Sequence, residues 1–93
     1  MEITHNAAKH QFEHHANGDV AVLVHILRDG SIYLMHTEVP PSMGGTGVGN
    51  ALAAAAFEYA KAEQLPVVVY CPFVAVYVKR HPELQELIQK EQD

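Results

Sequence analysis

Three glycines at alternate positions, Gly45, Gly47 and Gly49, lie between an apolar run ending at Val39 and an alanine-rich segment that reads only as a helix. Pro40 and Pro41 stop any sheet before them, because proline donates nothing to a ladder. Glycine admits positive φ and lets the backbone approach a ligand closely. The helix that follows turns its unpaired N–H groups and the positive end of its dipole into the same space. Such a turn binds phosphate. A flexible surface loop is the plainer alternative, yet loops seldom spend alternate glycines on the first turn of a helix.

The flanking segments place this turn in an α+β chain. From Lys9 to Val39 the hydropathy has a period near two, interrupted at Asn17-Gly18-Asp19 and Arg28-Asp29-Gly30-Ser31, both strong hairpin signals. The predicted strands are Lys9–His15, Asp19–Leu27 and Ser31–Val39, an antiparallel three-strand meander. Thr46 to Glu63 is predicted as one long helix, apolar almost all round, with a solvent stripe at Glu58, Lys61 and Gln64. Leu65-Pro66 ends it. Val67–Cys71 is a continuous β-branched run, the mark of a strand covered on both faces. A crossover of this length implies that it lies parallel to Ser31–Val39 through a right-handed connection. A helix over Phe73–Arg80 and a polar third helix over Glu83–Lys90 complete the prediction, a mixed sheet with helices in a single domain. In the last segment Leu84, Leu87 and Ile88 can pack on the chain's own core or on a neighbour.

Composition narrows the function. Of 93 residues, 48% are apolar and 18% charged, which describes a globular chain. Six basic against eleven acidic side chains give a net charge of −5, which argues against nucleic acid or an anionic membrane as the main partner. The N-terminus has no basic region followed by an apolar one, and the apolar runs are too short to span a bilayer. A single cysteine, Cys71, excludes an internal disulfide and points to a cytoplasmic setting.

A meander, a glycine-rich turn, a helix, a buried parallel strand and a short helix, in that order, resemble the GNAT superfamily of acyl-CoA-dependent N-acyltransferases. The chain is similar in particular to a short GNAT-like subfamily marked by His36-Thr37-Glu38-Val39-Pro40-Pro41 and by the block from Cys71-Pro72-Phe73 to His81-Pro82. The superfamily's phosphate signature is an Arg or Gln, two variable residues, Gly, one variable residue, then Gly or Ala. Gly44, Gly45, Thr46, Gly47, Val48 and Gly49 stand at those positions, so the leading Arg or Gln is replaced by Gly44. The resemblance implies acetyl-CoA as co-substrate, with its pyrophosphate on the backbone of Gly45, Thr46, Gly47, Val48, Gly49 and Asn50. The strand Ser31–Val39 would splay from Val67–Cys71, and pantetheine amides would pair near Val39 like an added strand. The thioester would then lie near Glu38, Cys71 and Tyr77, with a primary amine as acceptor.

Aminolysis of a thioester needs a deprotonated amine, a stabilised oxyanion and a proton for the leaving thiolate. Tyr77 matches the tyrosine that many GNAT enzymes use as general acid; the alternative is an aromatic packed on the sheet. Glu38 and His36 share a strand face, and either is suited to deprotonate an amine; otherwise they are ordinary edge residues. Cys71 ends a buried strand where a helix begins, so its thiol is either an activated nucleophile or a buried small hydrophobe. Lys79 and Arg80 either contact a CoA phosphate or form a solvated face favoured at a helix C-terminus.

Seven histidines are many for this length, but there is no cysteine pair and no helical His-Glu spacing, so no metal site is expected. A pH-sensitive surface is the better reading of His5, His10, His14 and His15. A non-catalytic CoA-binding module is the second functional reading, supported by Gly44 and by a chain too short to wall an acceptor pocket. A protein or peptide acceptor, or a homodimer that supplies the wall, also answers that shortness. A Rossmann-like nucleotide site is set aside, because the strand before the glycines closes a meander and no ribose-binding acid follows at the usual distance.

Overall fold

Hairpin chemistry organises the first half of the chain. The computed structural model describes residues 1–89, and in it β2 (Gln11–Ala16), β3 (Asp19–Arg28) and β4 (Ser31–Glu38) form the expected meander. Ala16 pairs with Asp19 and Arg28 with Ser31, so each loop has two residues. Asn17 and Gly18 have φ of 53° and 81°, Asp29 and Gly30 of 53° and 77°. Positive φ at both loop positions matches the twist of the strands, and Asn-Gly and Asp-Gly adopt it most readily.

Ahead of the meander runs a strand that the sequence did not predict. β1 (Thr4–Asn6) pairs antiparallel with β2, His5 opposite Phe12, and with β5 (Val67–Val69) on the far side extends the sheet to the order β1-β2-β3-β4-β5. The chain reverses through Ala7–His10, where His10 takes a φ of 58° and its N–H donates to Ala7 O. That turn takes Lys9 and His10, so β2 starts at Gln11.

Helix α1 (Val48–Ala62) begins two residues later than expected, because Gly47 is left-handed at φ 84°. At its other end Leu65 N–H donates to Ala60 O and Gln64 N–H to Lys61 O, with Gln64 at φ 57°, which closes the helix after Ala62. Glu58, Lys61 and Gln64 are exposed. β5 is Val67–Val69, parallel to β4 with Val67 opposite Ile32, and Val67 and Val68 are both buried. It is shorter than the predicted Val67–Cys71, because Leu34 O accepts both the Tyr70 and the Cys71 N–H and Pro72 then opens α2 (Pro72–Arg80).

The predicted third helix over Glu83–Lys90 is instead a 3₁₀ run, Pro82–Leu87. Lys90 lies outside the described residues. Leu84, Leu87 and Ile88 pack on the chain's own core. Ile88 bridges Val67 in parallel, and Gln89 N–H donates to Val67 O at 2.8 Å, so the chain covers part of the outer edge of β5.

Ala21, Leu23, Ile32, Leu34 and Val67 carry one face of the sheet into a core with Leu52, Ala56 and Phe57 of α1 and Val74 and Val78 of α2. Among the described residues no helix is long and apolar enough to cross a membrane.

Candidate active site

Beyond β4 the backbone is set for an open turn. Pro41–Met43 makes one 3₁₀ turn, and Met43, only 5% exposed, anchors it in the core. Gly45 and Gly47 then take φ of 76° and 84°, values that cost an L side chain about 1 kcal/mol or more. The first helical bond of α1 is Ala51 N–H to Gly47 O. Helix geometry therefore leaves the N–H groups of Val48, Gly49 and Asn50 without helical acceptors.

Gly49 serves a different end. A Cβ there would stand 2.7 Å from the Phe73 ring, so this glycine lets Phe73 of α2 close against α1. Thr46 also departs from the expected donor set, since its N–H and its hydroxyl both donate to Met43 O, at 3.2 and 2.6 Å.

A groove of about 420 Å³ opens above this turn, lined by Val39, Gly45, Gly47, Val48, Gly49 and Asn50 together with Thr37, Met43, Phe73 and Arg80. Arg80 of α2 is the cationic side chain of this lining, whereas Gly44 brings no side chain at the position of the expected Arg or Gln. A guanidinium near helix N–H groups adds charge to a phosphate site in a form suited to paired hydrogen bonds.

β4 changes phase before it reaches the groove. His25 pairs with Leu34 and Val24 with His36, so Met35 is an extra residue, a β-bulge. Paired residues share a face. Thr37, opposite the buried Leu23, therefore lies on the helix-covered face, while His36 and Glu38, opposite Val24 and Val22, lie on the other. Strict alternation from Ile32 and Leu34 would have reversed this. β5 leaves β4 at the same point, pairing only with Ile32, Tyr33 and Leu34. Among the described residues no strand continues on the β5 side of β4 past Leu34, and that edge opens toward the groove, which Thr37 and Val39 line.

The candidate reactive residues stand in three places. Cys71, 2% exposed at the N-cap of α2, has Sγ 3.2 Å from Oγ1 of Thr37, and of the two Thr37 lines the groove. Glu38 Oε2 lies 3.2 Å from His36 Nε2 on the opposite, open face, both side chains well exposed. Tyr77 does not line the groove. Its ring stacks on His81 at 4.2 Å and on Phe57 at 6.3 Å, and burial, then Glu83 and Glu58, push its hydroxyl up from the ordinary tyrosine range. Sequence reasoning missed Thr37; its position inside the His36–Glu38 block was the only signal.

These elements in this order decide the family, because residues 11–87 match the family described as GCN5-related N-acetyl-transferase. The chain belongs to that family. Protein NATD1 of Xenopus tropicalis is 33% identical over 90 residues, covering 94% of this chain and 83% of that protein. The human protein NATD1 is also 33% identical over 90 residues, covering 94% and 80%. In Danio rerio the identity is 31% over the same length, with 94% and 82% covered. The family match spans the meander, the glycine turn, both helices and the 3₁₀ run, and so the whole groove.

The histidines of this family member are partly interior. His25 is 1% exposed, its Nε2 lies 2.9 Å from His5 Nε2, and burial, then His5 and His10, lower its pKa to about 4. Phe12 and Tyr59 pack around the pair. Among the described residues no three His, Cys, Asp or Glu side chains gather as a metal ion would require.

Proposed function

We propose that the chain transfers an acetyl group from acetyl-CoA to a primary amine. The observation that supports this best is the groove itself, which joins the glycine turn and the N-terminus of α1 to the free edge of β4. In this reading the N–H groups of Val48, Gly49 and Asn50 and the dipole of α1 hold the pyrophosphate. Arg80 balances the remaining phosphate charge. Pantetheine amides pair along β4 at Val39, as a peptide adds to a sheet edge. The thioester reaches Thr37 and Cys71.

The amine approaches from the open face, where Glu38, steadied by His36, takes the proton that the nucleophile must shed. The new C–N bond forms as the C–S bond breaks, and CoA leaves as a thiolate that is then protonated. Tyr77, held between Phe57 and His81, is assigned to packing α2 on α1. A non-catalytic acyl-CoA-binding module is the second reading, favoured by Gly44 and by the solvent exposure of Glu38 and His36.

Calorimetry with acetyl-CoA, paired with thiol release on a panel of primary amines, separates the two. The enzyme reading predicts low-micromolar binding, thiol release with at least one amine, and binding weakened about tenfold or more by Gly47→Val, whose branched side chain cannot hold φ 84°. Binding with no thiol release from any amine leaves the module. No binding removes both.

A further inference from the structure

The Thr37–Cys71 contact has chemical content beyond packing. Thr37 Oγ1 and Cys71 Sγ are 3.2 Å apart, one carried by β4 just past the bulge and the other by the first turn out of β5. Their meeting point is where the two strands part. Of the other side chains that line the groove, Val39, Met43, Val48 and Phe73 are apolar, and Asn50 and Arg80 come from the two helices. Leu34 O is already taken by two N–H groups. Thr37 is thus the polar residue that β4 contributes to the groove lining, and its hydroxyl is the one in contact with Cys71.

A hydroxyl has one hydrogen and two lone pairs, whereas sulfur is a weak acceptor. The favoured arrangement with a carbonyl present is Cys71 S–H donating to Thr37 Oγ1, and Thr37 O–H donating to the carbonyl. The first bond polarises the second. We infer that the Thr37 hydroxyl, held by the Cys71 thiol, is the hydrogen-bond donor to the acyl carbonyl of the bound thioester, so that this pair recognises acylated over free CoA. The inference rests on the proposed acetyl-CoA reading and refines it. Thr37 keeps its proton throughout: the amine forms its bond to the carbonyl carbon, the C–S bond breaks, and the hydroxyl meets the negative charge that gathers on oxygen between those events.

The test is the carbonyl stretch of acetyl-CoA labelled with ¹³C at the carbonyl, read by difference infrared spectroscopy on the bound protein. Thr37→Val, of the same shape, should move the band to higher wavenumber than wild type, and Thr37→Ser should restore it. The ratio of acetyl-CoA to CoA affinity should fall about threefold to tenfold in Thr37→Val while CoA affinity itself stays within twofold, the scale of one neutral hydrogen bond. Cys71→Ser, which keeps a donor, should resemble wild type, and Cys71→Ala should shift the band part-way. If Thr37→Val lowers folding, Thr37→Ala read at the same ligand saturation gives the same comparison. A band and an affinity ratio unchanged in the Val and Ala variants overturn the inference and leave the acetyl-CoA reading standing. A wild-type protein that binds neither ligand overturns both.

Discussion

Glu13 and Glu38 stand on the same open face of the sheet, in one cross-strand row, with Val22 between them. Two strand spacings separate them, roughly 10 Å. Glu13 is only 6% exposed although no helix among the described residues lies on its face, because its neighbours close over it: Oε2 accepts from Asn6 Nδ2 at 3.0 Å and from Gln11 Nε2, and Oε1 meets His15 Nε2 at 2.9 Å. Those bonds, Gln11's first and then those of His15 and Asn6, hold its carboxyl down to about 2 against the opposing effect of burial. Glu38 has His36 as its contact and a side chain 69% exposed. A carboxylate with three partners and little exposure is a structural anchor; one with a single exposed partner is available to a substrate. Identical chemistry on one face is thus enclosed at β2 and left exposed at the end of β4, where the proposed reaction uses it.

The largest effect that would break this contrast is on turnover. Glu38→Gln should lower kcat for the amine by about a hundredfold, the loss expected of a general base, with acetyl-CoA affinity nearly unchanged. Its unfolding free energy should stay within about 0.5 kcal/mol of wild type, because an exposed ion pair contributes little. Steady-state kinetics and urea unfolding read both quantities. A hundredfold loss in Glu13→Gln, with Glu38→Gln at wild-type rate, would invert the assignment.

What could be read in advance follows the range of the interactions. The hairpins were legible because Asn17-Gly18 and Asp29-Gly30 suit a local need for positive φ. The alanines announced α1, and Val67–Val69 declared a strand buried on both faces. β1 was not legible: three residues, Thr4–Asn6, show no period, and their reason for being extended is Phe12 and Glu13 on another strand. Nor was the bulge, since Met35 carries no glycine or proline to mark it, and its effect is to exchange the faces of Thr37 and Glu38. Arg80 lining the glycine-turn groove from α2, and Phe73 lying against Gly49, are juxtapositions of distant segments that no local pattern records.

The second test of the contrast is on stability. Glu13→Gln should cost about 1–2 kcal/mol at neutral pH, because an amide cannot accept from Asn6, Gln11 and His15 together and leaves a donor facing donors. In a protein of this size that is a fall in Tm of several degrees. Turnover per folded molecule should remain that of wild type. A Glu13→Gln protein as stable as wild type would mean that these bonds replace solvent at no gain, and the anchor would be lost.

The smallest effect is the pH dependence of that difference. Glu13 titrates at about 2 in the fold against an unperturbed value of 4.5, so the unfolded chain binds its proton first as the pH falls. The stabilisation is complete above about pH 4.5 and lost toward pH 2. Because the bonds from Gln11, His15 and Asn6 replace bonds to water, the pH-dependent part should be only on the order of 1 kcal/mol. His25 contributes separately: its pKa of about 4, below 6.5, means that acid costs stability between those values in wild type and Glu13→Gln alike. Subtracting the two urea-unfolding profiles therefore cancels the histidine and leaves the carboxylate. The gap between the proteins should be constant from pH 7 to 5 and close below 4.5. A gap that never closed would make Gln11, His15 and Asn6 hold a shape, not a charge.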